Sequence, residues 1–241
     1  MKLIAVSPWV KGKNNNNNSE DIRQSLLAFI QEANADLIVL PGYHPTHPSP
    51  QEIQKVIGDG KFVFVEQESD EATHLGQFPK GKHAKGKKTG AKWKASHQAC
   101  LVSQNEIQTM PLQCFANQPT RPRVESLEQI WQQRRFVVNN IFSTFVLCGE
   151  IDTFDTQGAP KFGANLPFAP LLINPTHTTR GHWNYLGPKL AALSENSVVV
   201  HVANNNRKNQ NITTGVRIYQ NTQQVGVRQQ AQNLSWVEVV I

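Results

Sequence analysis

The chain of 241 residues is long enough for one large α/β domain or two small ones. Hydrophobic residues make up 39% and charged residues 17%, which excludes disorder throughout the chain and allows a buried core. The net charge of +6 arises from seven lysines between residues 80 and 94, so the rest of the chain is close to neutral and a basic surface over the whole protein is excluded.

Two further properties bear on where the protein works. No apolar run approaches the roughly 18 residues of a membrane span, and Met1–Val6 turns polar too early for a signal peptide. The three cysteines, Cys100, Cys114 and Cys148, are odd in number and irregularly spaced, which argues against a disulfide framework. We therefore expect a cytoplasmic protein that does not contact the membrane.

The first part of the chain predicts strands alternating with helices. Strands are predicted at Lys2–Ser7, 35–40 and 61–66. The first helix opens at Ser19-Glu20-Asp21 and repeats apolar residues at helical spacing. A second helix opens at Ser49-Pro50-Gln51-Glu52, where serine, proline and glutamate make a capped helix start.

The second part is richer in strands. Segments 99–103 and 106–110 predict a hairpin, and 117–123 predicts a loop. Further strands are predicted at 142–147, 171–173 and 197–202, and Asn174-Pro175 is expected to end the second of them. A helix is predicted to start at Gly187-Pro188, and antiparallel strands are predicted from residue 213. This order predicts an α/β sandwich of two sheets, with residues 1–241 in a single domain that carries a lysine-rich loop at 80–94.

Cys148 is the strongest candidate for chemistry. It follows a buried strand directly, and this placement puts its side chain at the rim of a sheet, where α/β folds bind ligands. Gly149 permits a sharp turn and a backbone N–H directed at a developing oxyanion. The alternative is that Cys148 is a small buried hydrophobic residue, as most free cysteines are.

Four segments resemble the nitrilase (carbon–nitrogen hydrolase) superfamily in order and approximate spacing. Residues 35–41 (ADLIVLP) are similar to the strand that delivers the family's general-base glutamate. Residues 146–151 (VLCGEI) resemble its nucleophile segment. Residues 171–176 (LLINPT) and 190–204 resemble the Asn-Pro step and the helix–strand unit that follow. The resemblance implies a nitrilase-like α-β-β-α sandwich, a homodimer, and a catalytic cysteine at Cys148.

The resemblance lacks two of the family's three catalytic residues. Gly42 occupies the glutamate's position, and residues 111–115 (PLQCF) contain no lysine where the family has one. We therefore predict an open space beside the sulfur, into which either water or another side chain moves; if a base exists, we expect an imidazole. His177 is the first candidate base and His44 the second, because a Cys–His pair can hold a thiolate. Pocket residues would be Gly42, Tyr43, Gly149 and Asn174.

No metal or other cofactor is predicted, because His44, His47, His177 and His182 show no recognisable ligand spacing with Cys148. The lysine-rich loop is most simply a solvated segment. Its composition is also compatible with phosphate contacts and the stacking of one base, through Lys82, Lys85, Lys87, Lys88 and Trp93.

Two functions remain in near balance at this point. One is a thiol-dependent amidase acting on a small amide or nitrile, with Cys148 as nucleophile and a histidine as base. The other is a binding or scaffold protein that keeps the fold without the chemistry, a pseudoenzyme. Nucleic-acid association through the lysine-rich loop is a third, less favoured reading.

Overall fold

The computed structural model describes residues 1–10, 19–69, 97–115, 118–177, 183–206, 215–231 and 233–241. The lysine-rich loop and His182 lie outside these residues, so the predictions about them stay predictions. Among the described helices, none is long and apolar enough to cross a membrane.

Helices and strands alternate through the first part of the chain, and strands predominate at the end. The strands are β1 Lys2–Val10, β2 Leu37–Val39, β3 Phe62–Glu68, β4 His97–Val102, β5 Ile107–Leu112, β6 Phe136–Val138, β7 Ile141–Phe145, β8 Leu171–Thr176, β9 Val198–Ala203, β10 Asn205–Asn206, β11 Val216–Gln220, β12 Gln223–Val225, β13 Val227–Ala231 and β14 Leu234–Val240. The α-helices are α1 Ser19–Glu32, α2 Pro50–Val56, α3 Arg121–Ile130 and α4 Trp183–Leu193. Short 3₁₀ helices span Trp131–Arg134, Cys148–Thr153 and Lys161–Gly163.

The strands form two sheets. The larger sheet has eight strands in the order β13-β14-β1-β2-β3-β4-β5, with β10 beside β1, and the smaller has six in the order β12-β11-β9-β8-β7-β6. The central strands of each sheet are parallel: β1, β2 and β3 in one, β7, β8 and β9 in the other. Because these strands are parallel, β2 and β3 end at the same edge of the larger sheet, and β7 and β8 end at the same edge of the smaller sheet.

Alternating side chains of the strands fill three apolar layers. Leu3, Phe64 and Ile173 belong to the core between the two sheets. The opposite faces pack against helices, as Ile4 does with Leu26 of α1 and Leu172 does with Leu190 of α4. Because successive strand residues point to opposite faces, each sheet is apolar on both sides. The fold is the predicted nitrilase-like α-β-β-α sandwich.

The structure corrects several boundaries. Asn174-Pro175 does not end β8, which continues to Thr176 beside β9. Residues 121–123, predicted as loop, begin α3, because Pro122 occupies its first turn, where a proline is tolerated. Helix α4 begins at Trp183, ahead of the expected Gly187-Pro188, and carries Pro188 inside it.

Candidate functional site

Cys148 lies at a sharp turn just after β7. Its backbone φ is +24°, a conformation that residues with a side chain rarely adopt. Val146 still donates its N–H to Ile173 O at 2.9 Å, so the turn begins where pairing with β8 ends. The sequence placed the sharp turn at Gly149, but the left-handed conformation falls on Cys148 itself, which starts a 3₁₀ helix. The half-buried Cys148 is thus held in a strained conformation at the rim of the smaller sheet.

The buried carboxylate of Glu150 stabilises this turn. Glu150 accepts the N–H of Leu147 at 2.8 Å and the N–H of Cys114 at 2.6 Å. The same carboxylate forms a fully buried, two-point ion pair with Arg134, whose second contact is 3.0 Å. Arg134 also donates to Leu112 O at 2.8 Å. The arrangement ties the residue before Cys148 to the segment that follows β5.

His177 meets Cys148 from the end of β8. The ring lies beside the Cys148 side chain, with which it interacts electrostatically, and its Nε2 lies 3.3 Å from Glu66 Oε1. The latter is an ion-pair contact rather than an aligned hydrogen bond. Burial alone would lower the pKa of His177, but the contacts with Cys148 and Glu66 and their negative charges outweigh it and raise that pKa to about 10. The ring is therefore charged at neutral pH and lies beside the Glu66 carboxylate.

Glu66 comes from the other sheet. It lies on β3 and shares the inward face with Phe64, two residues earlier, and only 1% of it is exposed. Its Oε2 accepts the N–H of Tyr43 at 3.1 Å, which leaves Oε1 directed at His177. Cys148, His177 and Glu66 thus form a row in which the imidazole lies between a thiol and a carboxylate.

The expected open space beside position 42 does not exist. A Cβ on Gly42 would lie 2.6 Å from the Thr176 carbonyl carbon, 2.7 Å from His177 N and 2.9 Å from Glu66 Oε2. Gly42 also donates its N–H to Thr176 O at 3.0 Å, so β8 and the end of β2 touch directly. Backbone atoms of Thr176 and His177 and the carboxylate of Glu66 occupy this space.

His97, the first residue of β4, completes the cluster. Its Nδ1 lies 4.0 Å from Glu66 Oε1, and its ring centre is 4.6 Å from that of His177 and 5.4 Å from that of Tyr43. Burial lowers the pKa of His97 although the Glu66 charge acts in the opposite direction. Glu66, His97 and His177 each offer one ligand atom, and the three atoms lie within 4.8 Å of one another.

The loop after β2 is held to the site by one asparagine. Asn204 donates to Gly42 O at 2.9 Å and to His177 O at 3.0 Å, and its Oδ1 lies 2.8 Å from His47 Nε2. Burial and the neighbouring His44 lower the pKa of His47 to about 3, so its ring is neutral. His47 is therefore a structural support of the loop.

The other predicted residues have different surroundings. His44 is held by Thr46, whose hydroxyl is 2.8 Å from His44 Nδ1, so the structure favours His177 as the partner of the sulfur. Asn174 is fully buried between Val146 O and His201 Nδ1, each at 2.8 Å, which makes it a support beneath the site rather than a pocket wall.

Tyr43 and Gly149 also have definite places. Tyr43 lines a cavity of about 360 Å³ together with Glu66. Gly149 is buried in the first turn of the 3₁₀ helix. For the other cysteines, burial raises the pKa of Cys100 to about 11 and that of Cys114 to about 12, which makes both unreactive thiols.

Sequence reasoning missed Glu66 and His97. The signal for Glu66 was present: an acid stands two residues after Phe64 on the core-facing side of a strand, where a charge is rare unless it is paired. His97 carried no such signal, because its place depends on the antiparallel pairing of β3 with β4, in which Glu68 lies opposite His97.

The fold is an α-β-β-α sandwich with a cysteine at the rim of its smaller sheet. No protein-family model matches the sequence, and comparison with curated proteins gives no significant match.

Solved structures do match. A carbon–nitrogen hydrolase superfamily protein from Xanthomonas campestris, with an arsenic adduct in its active site, is similar at TM-score 0.55 and 10% identity, over 100% of this chain and 90% of that one. A mutant of an amidase from Nesterenkonia sp. AN1 in complex with butyramide is similar at TM-score 0.53 and 10% identity, over 99% and 90%. A glutamine-dependent NAD(+) synthetase from Cytophaga hutchinsonii is similar at TM-score 0.54 and 12% identity, over 99% of this chain but 42% of that one. At these identities the likeness shows the fold alone.

Proposed function

We propose that this protein is a thiol-dependent hydrolase that cleaves a carbon–nitrogen bond of a small amide or nitrile. The observation that carries the proposal is the contact of His177 with both Cys148 and the buried carboxylate of Glu66. A nucleophile, a base and a group that orients the base are the three parts that covalent thiol catalysis needs. Cys148 and His177 follow β7 and β8 of the smaller sheet, and Glu66 lies on β3 of the larger sheet.

Each residue has a role in the cleavage of an amide. The Cys148 thiolate attacks the carbonyl carbon, a carbon–sulfur bond forms, and the Gly149 N–H supports the oxyanion. His177 gives its proton to the departing nitrogen, the carbon–nitrogen bond breaks, and ammonia or an amine leaves a thioester on Cys148. Water then attacks the thioester, His177 takes its proton, and the acid departs with the thiolate restored.

Glu66 supplies the carboxylate that position 42 lacks. Position 42 has no room for a side chain, and the carboxylate arrives instead from the neighbouring parallel strand β3. There it fixes the His177 ring and stabilises its charged form, as a buried carboxylate does beside a catalytic histidine. The charged imidazole also supplies a cation next to the sulfur.

The similar structures indicate which substrates to test first. The Nesterenkonia amidase was solved with butyramide, and another of its mutants was solved after Michael addition of acrylamide at its active-site cysteine. These are properties of that amidase. They make short aliphatic amides the first substrates to try with this chain.

The test is release of ammonia from acetamide, butyramide and the corresponding nitriles. Cys148→Ala should abolish activity, and His177→Gln and Glu66→Gln should each lower kcat/KM by roughly 10²-fold or more. Glu68→Gln is the matched control for Glu66, and Cys100→Ala for Cys148, and both should keep activity. Ammonia release that survives Cys148→Ala contradicts the proposal. A wild-type protein that is inert toward the whole series favours the scaffold function instead.

A further inference from the structure

The cluster of Glu66, His97 and His177 has more donors than the hydrolase needs. Two imidazoles and one carboxylate are the donor set of an open zinc site, with a fourth position left for water or substrate. His97 has no part in the thiol chemistry, yet its Nδ1 points to the same carboxylate oxygen as His177 Nε2. We propose that these three residues bind a divalent transition-metal ion of the Zn²⁺ class.

The distances approach those that such an ion requires. Zinc binds nitrogen and oxygen at roughly 2.0–2.2 Å, so two ligands of a tetrahedral ion lie about 3.3–3.6 Å apart. Glu66 Oε1 is 3.3 Å from His177 Nε2 and 4.0 Å from His97 Nδ1, and the remaining pair is within 4.8 Å. A tetrahedral ion therefore requires the His97 imidazole to move toward the other two ligands, and the partial exposure of the two imidazole side chains, 25% and 28%, leaves room for such a rotation.

The buried carboxylate is prepared for a cation. Glu66 Oε1 is buried and has no aligned hydrogen-bond donor among the described residues, and the same is true of His177 Nε2. The His177 ring lies 3.3 Å from this oxygen without an aligned hydrogen bond, so a metal ion that replaces the proton of the ring would satisfy both buried atoms. Its other oxygen is already oriented by the Tyr43 N–H, the kind of supporting contact that fixes a metal ligand in place.

Metal and substrate cannot use His177 at the same time. An ion on Nε2 separates the ring from Glu66 and occupies the histidine that the Cys148 thiolate needs. Zn²⁺ is therefore an inhibitor of the hydrolase, and a chelator restores activity. This consequence rests on the proposed function, whereas metal binding itself does not.

Zinc binding can be measured without any substrate. Isothermal calorimetry and competition with a chromogenic chelator, on the full-length chain stripped of metal, should show one Zn²⁺ per chain in the wild type. Glu66→Gln and His97→Ala should each weaken binding at least about tenfold. Glu68→Gln, an exposed acid two residues along β3, should leave it unchanged. Cys148→Ala removes the nucleophile but none of the three ligands, so it should bind Zn²⁺ as the wild type does.

The results separate the two proposals. If Cys148→Ala binds Zn²⁺ while the wild type hydrolyses no amide, the metal-site proposal is supported and the hydrolase proposal is contradicted. The metal site is overturned by a wild type without stoichiometric Zn²⁺, by Glu66→Gln binding as tightly as Glu68→Gln, or by loss of binding in Cys148→Ala. An active enzyme that binds Zn²⁺ at these residues without inhibition would contradict the mutual exclusion.

Discussion

Replacing Arg134 should destabilise the protein severely, because it leaves the Glu150 carboxylate buried without its counter-charge. Both residues are fully buried, and Glu150 sits under the turn that carries Cys148. Removing one partner of such a pair costs about 3–5 kcal/mol. Arg134→Met also leaves Leu112 O without its donor, for about 1 kcal/mol more. Domains are stable by only about 5–15 kcal/mol, so this loss is a large fraction of the whole.

The double substitution should not restore stability. In a simple ion pair, replacing both partners by apolar residues is often nearly neutral. Here Glu150 also accepts the N–H groups of Leu147 and Cys114, which Arg134→Met/Glu150→Leu would leave unpaired at about 1–3 kcal/mol each. Arg134→Met/Glu150→Gln, which keeps one carbonyl acceptor, should be the less damaging of the two double variants.

Urea unfolding followed by circular dichroism provides the measurement. Arg135→Met is the matched control, since Arg135 is the exposed neighbour and its loss should change the free energy of unfolding by less than about 0.5 kcal/mol. An Arg134→Met protein within 1 kcal/mol of the wild type would refute the reasoning, because it would mean that Glu150 needs no counter-charge.

Three further changes have definite expected outcomes. Gly42→Ala should destabilise the protein by roughly 1–3 kcal/mol or more, because backbone atoms lie 2.6–2.7 Å from the position of the added Cβ. In Gly58→Ala the added Cβ meets only the Lys61 side chain, at 3.6 Å or more, so this control should lose far less stability when both variants are compared by thermal unfolding. Cys148→Gly should remove activity but raise the free energy of unfolding by up to about 1 kcal/mol, because glycine adopts a positive φ without strain. If Cys148→Ala were as stable as Cys148→Gly, that reasoning would be contradicted. His47 is neutral when folded, with its pKa lowered from 6.5 to about 3, but takes up a proton when unfolded below pH 6.5. The contribution of His47 to the free energy of unfolding is therefore complete above pH 6.5 and falls by up to about 1.4 kcal/mol per pH unit toward pH 3. His47→Gln should remove this slope from unfolding free energies measured between pH 7 and 5.

Much of the fold follows from local patterns. The run at 35–40 became β2, and the Ser49 capping box formed as expected, because both depend on residues close in sequence. The hairpin of β4 and β5 follows from the same kind of signal. Helix α4 was misjudged because a proline suggested a start, whereas tertiary packing supports it inside the helix.

The site was predictable only in part. Cys148 and His177 follow strands of one parallel pair, β7 and β8, so their proximity could be read from the order of the strands. Glu66 belongs to the other sheet, and its approach to His177 depends on how the two sheets pack. A resemblance that predicts a carboxylate at position 42 cannot show that the carboxylate belongs to Glu66 on the neighbouring strand β3 instead.

The reactivity of Cys148 tests the central claim most directly. Wild-type protein is treated with iodoacetamide at pH 7, and modification of each cysteine is followed by peptide mass spectrometry. If His177 and Glu66 hold Cys148 as a nucleophile, it should react at least tenfold faster than Cys100 or Cys114, whose pKa values are raised by burial. His177→Gln should remove most of that difference. A Cys148 that reacts no faster than the two buried thiols, or whose rate is unchanged by His177→Gln, would contradict the account.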